Sequence, residues 1–295
     1  MRIGLLGTGP WARAAYAPAL AGHGSLDFAG VWGRRPQAAA ELAREYGVRA
    51  YDDVDALFAD VDAVAVALPP AVQAELAVRA ARAGRHLLLD KPLAIGVAEA
   101  RAVVEAAERA RIASVVFFTT RFQQEPERWI GEQAAATGWF TARAQWLGSL
   151  FTGESPFADS PWRKEKGALW DVGPHALSVL LPVLGDVRRV AAAVHGPADT
   201  VHLVLDHATG ASSTVTLSLT APPAAAGADV ELRGETGVTL LPRSAEGAVP
   251  ALTRAADALL GAARTGRAHP CDAVFALRVT EILAEAETVL SRDVD

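Results

Sequence analysis

The sequence predicts an α/β protein in two parts: a doubly wound parallel sheet over residues 1–118, then an α+β domain over 119–295 whose strands are mostly antiparallel. Three observations carry this. Up to residue 118, short apolar runs alternate with alanine-rich helical stretches, the pattern of a parallel sheet wound by crossover helices. A glycine-rich turn follows the first apolar run at once. Beyond residue 186, β-rich alternation returns, now joined by the tight turns "DHATGA" and "RGETG". A chain of 295 residues is long enough for two cores.

The strands of the first part are "RIGLL", "FAGVW", a weaker "VRAY", "DAVAVAL", "HLLLD" and "SVVFF". Between them "PQAAAELAREYG" opens on proline and closes on glycine, and "AVQAELAVRAARAG" also closes on glycine, as helices do. Residues 121–137 read as a helix, "FTARAQWLGSLF" as a strand and "SPFADSPWRKEKG" as a loop. "DVGPHALSVLLPVLG" reads as a helix starting near Asp171, with Pro174 tolerated in its first turn. Four strands follow in "RRVAAAVH", "TVHLVLDH", "SSTVTLSLT" and "DVELRGETGVTLLP". From Asp272 to Leu290, Phe275, Val279, Ile282, Ala286 and Val289 make a helical apolar stripe.

Composition narrows the function. A net charge of -6 argues against nucleic acid, whose phosphates need clustered Lys and Arg in excess. The single cysteine, Cys271, excludes an intramolecular disulfide and a cysteine-based zinc site. No apolar run approaches the roughly 18 residues of a membrane span, and the first residues read as strand, turn and helix rather than as a signal peptide. The expectation is a cytoplasmic protein with no nucleic-acid or membrane partner and no metal.

"IGLLGTGPWA" sets Gly7, Gly9 and Ala12 in the G-x-G-x-x-A form, with Thr8 and Trp11 in the same turn, between a strand and a helix. Gly7 permits the tight turn, Gly9 lets the backbone approach a pyrophosphate, and Ala12 allows close helix–strand packing. In that context the pattern reads as a Rossmann dinucleotide site. At the end of the second strand, "VWGRRP" places Gly33 where an acidic ribose-binding residue is expected, followed by Arg34 and Arg35. Two guanidiniums favour a 2'-phosphate, hence NADP over NAD; the alternative is that both are solvated at a helix start.

Lys91, in "HLLLDKPLA", stands just past the carboxyl end of a buried strand, the rim where such sheets bind ligands. Proline after it imposes an extended or turn geometry and admits a cis bond. An ammonium there is placed to stabilise a developing alkoxide; the plain alternative is a surface pair with Asp90. In "WDVGPHALS", Asp171 and His175 are four apart, and a helix starting there would turn both to one side. The helix N-terminus disfavours imidazolium and the carboxylate favours it, which suits a general acid–base; a metal pair or a cap with a core histidine are the alternatives. Two ligands without a third fall short of a metal shell.

These residues together, "GTGPWA", "DKP" after a strand and "DVGPH" in a second α+β domain, make the chain resemble the Gfo/Idh/MocA family of glucose–fructose oxidoreductases and inositol dehydrogenases over essentially its whole length. The resemblance implies a catalytic group of Lys91, Asp171 and His175, a nicotinamide held by the first domain, and a sugar or polyol substrate between the domains. It also implies that an open sheet in the second domain makes a homodimer or homotetramer. Leu68 and Pro69, at the end of the fourth strand, line the cofactor loop in this reading. Three departures stand out: Asp90 for the usual glutamate, Ser178 for the final aspartate of the histidine motif, and Pro70 with Gln73 where relatives often carry asparagine and histidine. Trp162 and Arg163 in "SPWRKEKG", Arg121 in "TTRF", and Ser178 are the candidate substrate contacts, since a sugar's C–H face stacks on an aromatic ring and its hydroxyls bind Arg. The function implied is NADP-preferring hydride transfer on a sugar, polyol or related carbonyl compound. Cofactor-recycling glycoside cleavage and a non-catalytic dinucleotide-binding regulator are the alternatives.

Overall fold

The computed structural model describes residues 1–292. The chain divides into two compact units, Met1–Phe122 with Glu246–Leu277, and Gln123–Ala245 with the residues from Arg278. This differs from a single division after residue 118. The cause is the helix α9 (Ala248–Thr265), which buries Ala251, Leu252, Ala255, Ala256 and Leu259 and packs on the first unit. Asp257 of α9 reaches His23 at 3.1 Å, and Arg254 Nε donates to the Phe122 carbonyl at 2.5 Å.

The first unit contains a six-stranded sheet in the order β3-β2-β1-β4-β5-β6, parallel throughout. Its strands are β1 (Arg2–Leu6), β2 (Asp27–Trp32), β3 (Arg49–Tyr51), β4 (Ala63–Val66), β5 (His86–Asp90) and β6 (Ser114–Phe117). Strand order reverses between β1 and β4, so the carboxyl ends of these strands form the crevice where a doubly wound sheet takes ligands. β4 is buried along its whole length, which is why it reads as an unbroken apolar run. The crossovers are a π-helical turn Ala12–Tyr16 running into α1 (Ala17–Ala21), then α2 (Pro36–Tyr46), α3 (Val54–Asp60), α4 (Pro70–Arg82) and α5 (Val97–Ala110). Pro36 and Pro70 open their helices, and α2 ends on Gly47 with φ 66°, the left-handed cap that glycine adopts without strain.

The second unit holds α6 (Gln124–Ala135), β7 (Trp139–Leu147), α7 (Pro161–Asp171), α8 (Gly173–Leu184), β8 (Val187–His195), β9 (Val201–His207), β10 (Ser212–Ser218), β11 (Gly227–Gly234) and β12 (Gly237–Leu240). The sheet order is β12-β11-β7-β10-β9-β8, antiparallel except where β10 runs parallel to β7. One face, with Ala144, Leu203, Leu205, Val215, Leu217 and Val230, is buried; α8 packs on β7 and α7 on β10. The other face carries the ion pairs Arg143–Asp229 and Arg189–Asp206 beside exposed Val194 and Val204. The final helix α10 (Ala273–Arg292) carries the expected apolar stripe and anchors α7, since Glu287 accepts from both Lys166 Nζ and Trp170 Nε1 at 3.1 Å.

Two local readings are corrected. The stretch "PWRKEK" is helical rather than loop, because Pro161 starts α7 and Ser160 precedes it in extended conformation; α7 then kinks at Gly167, whose φ of 61° and ψ of -161° are not helical. The helix of the histidine motif starts at Gly173, two residues later than expected, and Asp171 closes the helix before it. Pro161–Leu184 matches a membrane span in length and hydropathy, but 78% of the most apolar window is buried within the protein, as befits a core segment.

Candidate active site

In the first unit the glycine turn is built for an anion. Gly7 has φ 130°, and a Cβ there would overlap the Ala67 carbonyl oxygen at the end of β4. Its N–H donates to the Trp32 carbonyl at 2.9 Å, tying the turn to β2. A Cβ on Gly9, by contrast, would meet nothing within 4 Å, so the space above the turn is open. Ala12 is fully buried, as close packing at that position demands, and Trp11 is half-buried. This donor set fits a dinucleotide pyrophosphate: an open backbone approach at the start of a helical run.

Gly33 is buried, and a Cβ there would lie 2.7 Å from Thr8 Cγ2. The Thr8 methyl thus fills the space of a side chain at position 33, leaving exposed Arg34 and Arg35 as the polar groups after β2. Leu68 and Pro69 lie half-buried after β4, and Pro69 caps α4. Lys91 is half-buried immediately after β5, on the same sheet edge as Gly7 and Gly9, and the Lys91–Pro92 bond is cis.

Two residues around this lysine had no assigned role in the sequence reading. Gln73 is 1% exposed and bonds the turn around Lys91 on both sides. Tyr16 is fully buried, with its ring edge-on to Phe117 at 6.3 Å, and its hydroxyl has no hydrogen-bond partner among the described residues. Burial first, and then the charge of Asp90, push the Tyr16 phenol well above its ordinary pKa. Helical periodicity marks Tyr16 only as a core position, and the clamp of Gln73 depends on a turn seventeen residues away.

Arg121 lies in the one-turn helix Thr119–Phe122 and belongs to the first unit, with its guanidinium 5.8 Å over the Phe275 ring. Beside it, burial and then the Arg121 charge push the His269 imidazole down in pKa.

In the second unit Asp171 is 4% exposed at the end of α7, and Arg163 Nε donates to its Oδ2 at 3.0 Å. The Arg163 guanidinium lies 4.5 Å over the Trp162 ring and 5.0 Å over that of Phe157. Arg163 is therefore committed first to Asp171, eight residues on, with Trp162 as its platform. His175 is half-buried in the first turn of α8, its ring parallel to that of Trp146 at 5.5 Å. Gly173 lets this turn pack closely, since a Cβ would stand 2.8 Å from Leu283 Cδ2. Trp146 was invisible as a site residue because it lies on β7, far off in sequence and within an ordinary strand pattern. Ser178 is fully buried, and its hydroxyl donates to the His175 carbonyl at 2.7 Å within α8.

A 3-2-1-4-5-6 parallel sheet with an open glycine turn and a lysine on its carboxyl edge defines a dinucleotide-binding oxidoreductase domain. Two models of one family tile most of the chain: the oxidoreductase family, NAD-binding Rossmann fold, over residues 1–118, and the GFO/IDH/MocA C-terminal domain over residues 97–239. The chain belongs to the Gfo/Idh/MocA oxidoreductase family. Among its relatives, UDP-N-acetylglucosamine 3-dehydrogenase of Acidithiobacillus ferrooxidans is 37% identical over 112 residues, 38% of this chain and 35% of that protein. The solved structure of the same enzyme superposes with a TM-score of 0.85 at 21% identity, covering 100% of this chain and 99% of that one, a likeness of fold. Dehydrogenase FPY6 of Fusarium mangiferae is 29% identical over 73% of this chain and 70% of its own length. The 3-reductase of dTDP-3,4-didehydro-2,6-dideoxy-alpha-D-glucose from Streptomyces violaceoruber is 32% identical over 66% of this chain and 57% of its own length. The chain thus spans about a third of the first relative and more than half of the other two.

Proposed function

We propose that the protein is a nicotinamide-dependent dehydrogenase or reductase of a sugar, polyol or related hydroxyl or carbonyl compound, with NADP preferred. The observation that carries this reading is Lys91 on the same edge of one parallel sheet as the open Gly7–Gly9 turn. The nicotinamide supplies a hydride acceptor or donor when bound; the protein supplies the rest. The Lys91 ammonium stabilises the substrate oxygen as charge develops on it. His175 takes the hydroxyl proton in oxidation and returns it in reduction. Asp171, which accepts from Arg163 Nε, orients the histidine or binds a neighbouring hydroxyl of the substrate. Trp162 offers a ring face to a substrate's C–H groups.

The NADP preference is supported by Gly33, which puts no carboxylate at the ribose position, and by the exposed Arg34 and Arg35. The uncovered face of the second sheet supports a homo-oligomer. Parallel titrations with NADPH and NADH, followed by nicotinamide fluorescence, test the cofactor. Tighter NADPH binding that is lost when Arg34 and Arg35 become alanine is expected; preference for NADH overturns the 2'-phosphate reading. Lys91→Met is expected to lower turnover about a thousandfold with cofactor affinity within twofold. Full activity in that variant removes Lys91 from the mechanism. Product release without net nicotinamide reduction would instead indicate cofactor recycling.

A further inference from the structure

The geometry points to Gln73 as the positioning residue of Lys91, acting through the backbone on either side of the lysine. The inference rests on the role of Lys91 proposed above. Gln73 sits in the first turn of α4, where its N–H donates to the Pro69 carbonyl at 2.9 Å, and its side chain is turned wholly inward. Its Oε1 accepts the Asp90 N–H at 2.8 Å. Its Nε2 donates to the Asp90 carbonyl at 2.7 Å and lies within reach of the Pro92 and Leu93 carbonyls at 3.1 and 3.3 Å. One carboxamide therefore binds the chain both just before and just after Lys91.

The chemistry of this contact is specific. The turn runs away from β5 and presents three carbonyls and one N–H to a buried space, where unpaired backbone groups are costly. A group that both accepts and donates is required, and among neutral side chains of this length glutamine provides one acceptor and two donor hydrogens. A carboxylate would set oxygen against three carbonyls, and an apolar isostere would remove all of these bonds at once. With Asp90 and Pro92 both fixed, the Cα–Cβ direction of Lys91 is fixed as well, which is the condition for an ammonium to meet a reacting oxygen to within a few tenths of an ångström. Because α4 begins directly after Leu68 and Pro69, the same side chain ties the loop after β4 to the turn after β5.

The test is a double-mutant cycle on the full-length protein, reading turnover, NADPH affinity by fluorescence, and the melting temperature. Gln73→Met is expected to lower kcat about 30- to 100-fold at temperatures where it is folded, with NADPH affinity within twofold, since about 1 Å of misplacement costs up to roughly 100-fold. Gln73→His, which restores one donor and one acceptor, is expected to recover kcat to within about fivefold of the parent protein. Gln73→Asn replaces the methionine variant if the latter does not fold. In the Lys91→Met background, Gln73→Met is expected to add less than a twofold loss, because a residue acting through Lys91 has nothing left to position. Unchanged kcat in Gln73→Met, or losses that multiply in the double variant, overturns the inference while leaving Lys91 in place. Full activity of Lys91→Met overturns both.

Discussion

The two units hold their candidate groups by different means. Around Lys91 the constraint is backbone: a glycine that alone fits against Ala67, and a glutamine bonded to main-chain atoms on both sides of the lysine. Around Asp171 and His175 it is side chain on side chain: a guanidinium on the carboxylate and an indole stacked on the imidazole. A backbone-held group tolerates changes in its neighbours' side chains so long as the turn survives. A group held by side chains is exposed to each substitution that touches its partners.

The sharpest way to break the comparison lies within the glycine turn. Gly7→Ala forces a Cβ against a backbone oxygen at φ 130°, and a cost of about 4 kcal/mol is expected from overlap and left-handed strain together. Denaturant unfolding should show it, and NADPH binding should be lost. Gly9→Ala meets open space, so its unfolding midpoint should match the parent protein while NADPH affinity falls about 10- to 100-fold where the methyl meets the pyrophosphate. If both variants lose stability equally, the turn is a fold element alone and the distinction fails.

The second unit is tested through Arg163. Arg163→Met takes the arginine from a carboxylate whose side chain is 6% exposed, and removal of one partner of such a buried pair is expected to cost about 2 to 3 kcal/mol. Removing the charge as well, in Arg163→Met with Asp171→Asn, should recover at least half of that loss in thermal unfolding. A neutral single variant would show that Asp171 does not depend on this arginine, and the contrast between the units would weaken accordingly.

Legibility followed the same division. The strands of the first sheet, its doubly wound parallel class, the glycine turn and the lysine at the sheet edge are readable, because each is encoded by local residues: glycine where only glycine fits, proline at helix starts, apolar runs at buried strands; the strand order is not. In the second unit the strands and their mixed pairing came through, but the site did not. Asp171 and His175 were expected on one helix by spacing, and they fall on either side of a break at Val172. Trp146 and Arg163 reach them from β7 and from the start of α7, and no periodicity encodes such contacts. Ser178 stands out in the sequence only as a departure from the family's final aspartate, and nothing local encodes the bond from its buried hydroxyl to the His175 carbonyl. The return of α9 to the first unit was hidden because an amphipathic helix does not state which sheet it covers.

The smallest effect sought concerns acid stability, and it again separates the units. His207 is fully buried on β9, with Nδ1 2.9 Å from the Gly185 carbonyl and Nε2 2.9 Å from Ser213 Oγ. A carbonyl only accepts, so Nδ1 carries the proton and Nε2 accepts from the serine. Burial pushes this imidazole down in pKa, against a smaller upward pull from the Gly185 bond and from Asp186 and Asp206. The unfolded chain therefore takes up a proton near pH 6.5 that the folded chain refuses. Stability is complete above that pH and declines as pH falls from 6.5 towards the lower folded value. In the first unit, burial lowers His86 and His269 in the same direction. Amide exchange across a series from pH 7.5 to about 5 should thus show both sheets losing protection, with His207→Gln flattening the decline in β9 and β10 alone. A decline in those strands that persists unchanged in the variant would place the acid sensitivity elsewhere in the second unit.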